Sequence, residues 1–164
     1  MSVSLLDSCQ TQQTAPTRVE LLDTYRAARA VEAALQIGVS YQDFSQLLLA
    51  FSKGLLLLQD RVSVGDVDPN TAAIAKDYAE LLTIYKDSAA VWTAEIQKRD
   101  WDEQLPVIAN KYGVATAVSK RPGSPIPYVG YEAIRQATWR RASELQVRLT
   151  GQVLGRTLMP VPAK

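Results

Sequence analysis

The sequence predicts an all-α protein, a mostly antiparallel four-helix bundle with a long irregular connection before the last helix. Four segments repeat apolar residues every three or four positions, which is the period of an amphipathic helix. No segment alternates apolar and polar residues as a half-buried strand does. The links between the first three helices are short, so those helices are expected to run antiparallel to their neighbours.

The chain is expected to form a single domain. Its 164 residues are enough to bury a core, and the helical domain is predicted at residues 16–150. The polar residues 1–15 are predicted to be a flexible leader. Residues 151–164 include two prolines and are predicted to be a flexible tail.

The first helix is predicted at residues 17–36. Pro16 stands near its first turn, where a missing N–H costs nothing, and Gly38 is placed to end it. The predicted buried line of this helix is Leu21, Ala28, Val31 and Leu35.

The second helix, predicted at residues 41–62, has the clearest start signal, because Ser40 and Asp43 form a short capping pattern. Its main apolar face holds Phe44, Leu47, Leu48, Phe51, Leu55, Leu58 and Val62. Leu49, Leu56 and Leu57 are apolar residues on its other sides. Either this helix is the most buried of the bundle, or these three leucines are interface residues that meet another subunit, a partner helix or an apolar ligand.

The third helix is predicted at residues 70–99, after a turn at 62–70, with Asp68 or Asn70 as its cap. Its seam is Ile74, Tyr78, Leu81, Tyr85, Ser88, Trp92 and Ile96. The regular spacing favours a core role for Tyr78, Tyr85 and Trp92. The alternative is that these three residues line a ligand pocket, with the tyrosine hydroxyls as polar groups.

The pattern weakens between the third helix and the last one. A short helix is predicted at residues 103–112, a brief extended piece at 114–118 and a loop without regular structure at 119–127. The last helix is predicted at residues 129–150. Its apolar arc is Tyr131, Ile134, Thr138, Trp139, Ala142, Leu145 and Leu149.

Two charged residues lie close to predicted apolar faces. Glu32 is beside the buried line of the first helix, and Arg135 lies within the arc of the last. They could pair inside the bundle, act as a catalytic carboxylate and its charge partner, or reach solvent at the edge of the core.

The residue types present argue against an enzyme. The chain has no His and a single Cys, so His-dependent triads, His-containing metal sites and Cys-rich zinc sites are excluded. No catalytic residue, metal or cofactor is therefore predicted. The net charge of +1 and the absence of a recognition motif argue against nucleic-acid binding, although residues 135–164 are basic.

No transmembrane segment is predicted, because the longest apolar run, residues 47–58, is interrupted by Ser52, Lys53 and Gly54. The run around Cys9 resembles the end of a bacterial lipoprotein signal, with Leu6 three residues before the Cys and Ser8 just before it. The basic start and apolar core of such a signal are absent as written, and Asp7 departs from its pattern. Cys9 is thus a lipid-anchor candidate in a periplasmic lipoprotein if a signal precedes it, and otherwise a free thiol in a soluble, cytoplasmic chain.

These observations predict a non-catalytic helical bundle that acts through protein–protein contacts, with itself or with another protein. Leu49, Leu56 and Leu57 are the candidate interface residues. The alternative is a module that binds a small apolar ligand between its helices.

Overall fold

The structure, a computed structural model, describes residues 15–99, 103–115, 117–118, 127–128 and 130–158. These ranges form five helices and one two-residue β-ladder, so the all-helical prediction is confirmed. The elements are α1 (Ala15–Ile37), α2 (Tyr41–Ser63), α3 (Pro69–Ile96), α4 (Gln104–Lys111), β1 (Ala117–Val118), β2 (Pro127–Tyr128) and α5 (Tyr131–Leu158).

Side-chain caps begin two of the long helices. The Asp43 N–H donates to Ser40 Oγ at 3.1 Å, as the capping pattern predicts for α2. At α3 the cap is Asp68, whose Oδ1 accepts from the N–H groups of Asn70 and Thr71. Each cap satisfies backbone donors that the first helical turn leaves without a partner.

Glycine ends two of the helices at the predicted places. Gly38 follows α1 with φ +85°, and Gly113 follows α4 with φ +69°. Both residues are in the left-handed region, which an L side chain rarely adopts. These turns allow the chain to leave each helix within one or two residues.

The four long helices pack around a common core. α1 contacts α2 and α5, and α3 contacts α2 and α5. Buried residues from all four helices make one continuous hydrophobic cluster. A smaller cluster lies where α4 covers α3 and α5; its members are Val91, Ala94, Leu105, Ile108, Ala109 and Ile134.

The last helix is longer than its sequence pattern predicts. α5 continues to Leu158, so the predicted end at Thr150 is wrong and the predicted tail begins inside the helix. The physical reason is burial, because Val153 is fully buried against the main cluster. Gly151, the first residue of the predicted tail, does not have the positive φ of a helix-ending glycine.

The third helix ends earlier than predicted, at Ile96, and Ile96 is 55% exposed instead of lying in the seam. The start of α2 explains this. Tyr41, the first residue of α2, bonds through its hydroxyl to Thr93 Oγ1 at 2.7 Å. Ile96 lies nearly one turn further on, where α2 no longer covers α3.

The connection before α5 matches the predicted short helix and extended piece. β1 pairs antiparallel with β2, with Val118 opposite Pro127. The prediction of no regular structure at residue 127 is therefore wrong, since an edge ladder of two residues tolerates a proline. The expectations for residues 1–14, 119–126 and 159–164 lie outside the described residues.

Candidate interaction surface

The outer side of α2 carries three exposed leucines. Leu49, Leu56 and Leu57 have relative exposures of 56%, 58% and 57%. The opposite side of the same helix is buried in the core through Phe44, Phe51, Leu55 and Leu58. The interpretation of α2 as a helix buried all round is therefore wrong, and its outer side is an apolar surface.

Two charged residues share this outer side. Lys53 and Asp60 lie four and eleven residues after Leu49, which places them on the same helical face, and both are exposed. Neither side chain has an ion pair among the described residues. They are seven residues apart, about 10.5 Å along the axis, which is too far for them to pair with each other. We call Leu49, Lys53, Leu56, Leu57 and Asp60 the leucine face.

Next to the leucine face, at the C-terminal end of α2, lies a charged residue, Arg61. Arg61 turns toward α1, where its Nε donates to Glu20 Oε1 at 3.0 Å, and its Nη1 contacts Asp66. The hydrogen bond to Glu20 raises the pKa of Arg61 above its ordinary value. Beyond this pair, Val64 is 74% exposed and extends the apolar surface by one turn.

The aromatic residues of α3 lie in the core. Tyr78 packs edge-on to Phe51 with ring centroids 6.0 Å apart, and Tyr85 packs edge-on to Phe44 at 6.4 Å. Trp92 is half-buried and lies 5.7 Å from Phe44. Burial raises the pKa of both Tyr78 and Tyr85. The predicted core role of these residues is thus observed, whereas their role in ligand binding stays a prediction.

Arg135 lies against two indoles, those of Trp92 and Trp139, which also contact each other edge-on with ring centroids 6.3 Å apart; the sequence pattern does not predict this arrangement. Its guanidinium carbon is 5.5 Å from the Trp92 ring centroid and 5.9 Å from that of Trp139, both within cation–π range. The side chain is 13% exposed and forms ion pairs with Glu95 and Glu132. Its hydrogen bond lowers the pKa of Glu132. The arginine thus already occupies this aromatic site.

The pairing of Glu32 with Arg135, one of the three alternatives for these two residues, is not observed. Glu32 forms its ion pair with Arg29, one turn earlier in α1, and Ser143 Oγ donates to its other oxygen at 3.4 Å. Ser143 is eight residues beyond Arg135, about 12 Å further along α5. Glu32 is therefore level with a part of α5 that Arg135 does not reach.

Two of the clefts formed by the described residues have polar or aromatic walls and lie away from the leucine face. The larger, about 460 Å³, lies between α3 and α5 and has several charged walls, including Glu80, Lys111, Arg140 and Arg141. Beside it, the Tyr112 hydroxyl donates to Asp87 Oδ2 at 2.6 Å. The smaller cleft, about 190 Å³, is lined by Glu32, Leu35, Gln36, Tyr85, Trp139 and Ser143. The larger cleft depends on how α3, α4 and α5 meet, and the smaller one on how α1, α3 and α5 meet. Of the residues that the sequence suggests for a ligand pocket, Tyr85 lines the smaller cleft.

Two basic residues of α5 form ion pairs with acidic residues of α3. Arg141 pairs with Glu80 at 2.9 Å and Arg148 with Asp77 at 3.2 Å. Exposed pairs of this kind contribute at most about 1 kcal/mol each. These ion pairs place Glu80 and Asp77 beside the arginines of α5, so this surface carries both positive and negative charges.

Three further kinds of site are relevant to this chain: a metal site, a membrane-spanning helix and a lipid anchor. In the part of the chain that the structure describes, no three His, Cys, Asp or Glu side chains are grouped so that they could hold a metal ion. Among the described helices, none is both long and apolar enough to cross a bilayer. Cys9, the lipid-anchor candidate, lies outside the described residues.

Comparisons with protein-family models, with curated proteins and with solved structures gave no match for this chain. Fold and surface together define an all-helical protein with an apolar face on one of its core helices.

Proposed function

We propose that this protein is a non-catalytic helical bundle that acts by binding another protein chain through the leucine face of α2. The observation that carries the proposal is the exposure of Leu49, Leu56 and Leu57 on a helix whose other side is core. Scattered single leucines are normal on a surface, but a patch on one face is typical of an interaction site.

The proposal includes an antiparallel four-helix arrangement. Residue pairs between neighbouring helices support it. The start of α2 meets the end of α3 at Tyr41 and Thr93, and the end of α2 meets the start of α1 at Arg61 and Glu20. In this arrangement α2 has α1 and α3 as its main neighbours, and its outer side is left for a partner.

The apolar area sets the strength expected of such contacts. Covering three half-exposed leucines contributes on the order of 3 kcal/mol, from roughly 1.5–3 kcal/mol for each fully buried side chain. A micromolar complex requires about 8 kcal/mol. The leucines therefore act as the centre of a larger interface, to which neighbouring residues must add.

A photoreactive benzophenone amino acid in place of Leu56 tests this proposal. After irradiation of cells that produce the full chain, and of the purified protein, we expect a covalent adduct of discrete mass. The matched control carries the same group at Lys86, an exposed position on α3, and should give none. Equal labelling from both positions, or no discrete adduct from Leu56 in either sample, would overturn the proposal.

A second candidate function is binding of a small apolar ligand between the helices. The favouring observation is that Tyr85 and Trp139 line a cleft of about 190 Å³. That volume is below the 300–1,000 Å³ typical of drug-sized ligands, so only a small molecule fits. A panel of small apolar compounds should then quench tryptophan fluorescence, and no change with any of them would reject this candidate.

A further inference from the structure

Resting on the proposed function, we infer that the partner of the leucine face is a second copy of this chain. The two α2 helices pack antiparallel across a twofold axis that passes between Leu56 and Leu57. Most homo-oligomers are twofold dimers in which one surface patch binds its own copy. Such a patch must be complementary to itself after the rotation.

The spacing of the leucine face meets this condition. In an antiparallel pair, residues equally distant from the axis lie level with one another. Lys53 and Asp60 are each three residues from the central pair Leu56–Leu57, so Lys53 lies level with the partner's Asp60, and the second such pair follows by symmetry. Leu56 lies level with the partner's Leu57, and Leu49 with the partner's Val64. Every charged residue of the face thus meets its opposite, and every leucine meets an apolar residue.

The charges also select the orientation. A parallel pair in the same register would place Lys53 against the partner's Lys53 and Asp60 against the partner's Asp60, which is unfavourable. The absence of ion pairs at Lys53 and Asp60 among the described residues leaves both available for contacts between subunits. Because the leucine face carries one positive charge, on Lys53, and one negative charge, on Asp60, two copies of the face have no net electrostatic repulsion.

Charge reversal tests the register in the full chain, with molar mass measured by light scattering across a wide concentration range. We expect the unaltered protein to be a dimer. Lys53→Glu should weaken the dimer by about tenfold or more, because two attractive pairs become repulsive. Asp60→Lys should do the same. The double variant K53E/D60K should restore the dimer, since both pairs are then reversed but complementary.

Mixing the two single variants gives a sharper result. A mixed dimer of K53E with D60K contains one Glu–Lys pair and one Lys–Asp pair, so the mixture should associate although each variant alone does not. Lys76→Glu, on the exposed side of α3, is the matched control and should leave the dimer intact. Circular dichroism and urea unfolding check that every variant is folded.

The outcomes separate this inference from the proposed function. A monomer at all concentrations overturns the second copy as the partner, whereas the proposed function stands if Leu56 still gives an adduct with a different protein. Another outcome is that Leu56→Asp disrupts the dimer but neither charge reversal weakens it. This would overturn the proposed antiparallel register, while the second copy would remain the partner of the leucine face. A dimer unaffected by Leu56→Asp forms through another surface and overturns the second copy as the partner of the leucine face; the proposed function is then overturned as well if Leu56 gives no adduct with a different protein.

Discussion

Gln146 is the most unusual single residue of the core. It is fully buried on α5, and neither its amide nitrogen nor its amide oxygen has a hydrogen-bond partner among the described residues. The hydroxyls of Tyr78 and Thr150 are also buried without a partner there. A buried polar group without a partner costs roughly 1–3 kcal/mol.

Replacing Gln146 with Met tests this cost. Met has a similar length and volume but no amide to desolvate, so we expect the free energy of unfolding to rise by about 1–2 kcal/mol in urea titrations. Gln152→Met, at an exposed position of the same helix, should change stability by less than about 0.5 kcal/mol. A clear loss of stability in Q146M alone would show that the amide is satisfied, for instance by an internal water.

At the scale of the element, the contact between α1 and α2 depends on Gly54. A Cβ added at Gly54 would lie 3.5 Å from Thr24 Cα, which is ordinary van der Waals contact. A longer side chain would have to enter the backbone of α1. The glycine therefore marks a close approach of two helices, but one with room for a single methyl group.

Gly54→Ala should accordingly stabilise the protein. Alanine in a helix interior is favoured over glycine by about 0.5–1 kcal/mol, and the contact with Thr24 adds no clash. Gly151→Ala on α5 has no atom within 4 Å of its Cβ and should show a similar gain, as a propensity control. Gly54→Leu should be destabilised. If G54A loses stability while G151A gains it, α1 and α2 are packed more tightly than the contact distance indicates.

The helices themselves were largely predictable, since local signals determine them. Apolar spacing and the Ser40 cap predicted α2 to within one residue. The end of α5 was not predictable, because glycine at position 151 disfavours a helix locally and the burial of Val153 by other helices outweighs this. The leucine face was recognised as apolar, but its exposure depends on how many helices surround α2, and a single segment does not encode that number. The contact of Arg135 with the indoles of Trp92 and Trp139 was missed for the same reason, because it depends on how α3 and α5 pack.

At the scale of the whole molecule, buried tyrosines couple stability to alkaline pH. Burial raises the pKa of Tyr78 and Tyr85 above the ordinary value of about 10, so the folded chain retains protons that the unfolded chain releases. Stability from these groups is fully present below pH about 10 and is lost as pH rises toward their folded pKa values.

We therefore expect unfolding to become easier above pH about 10, by up to about 1.4 kcal/mol per pH unit for each of the two tyrosines. Phenolate absorbance should rise together with the loss of helical circular dichroism. Tyr78→Phe removes one titrating group and should make the pH dependence less steep. Phenolate formation from all tyrosines before any loss of helix would contradict the assignment of Tyr78 and Tyr85 to a core without solvent.

One side of α2 is core and the other is the leucine face, so both depend on the same helix being folded. Unfolding α2 removes Phe44, Phe51, Leu55 and Leu58 from the core and at the same moment dismantles the leucine face. In the proposed dimer, dissociation and unfolding are thus linked by mass action, and the melting temperature rises with protein concentration. Dilute chains would be the first to unfold and the first exposed to proteolysis, so the lifetime of each molecule would depend on how many others surround it.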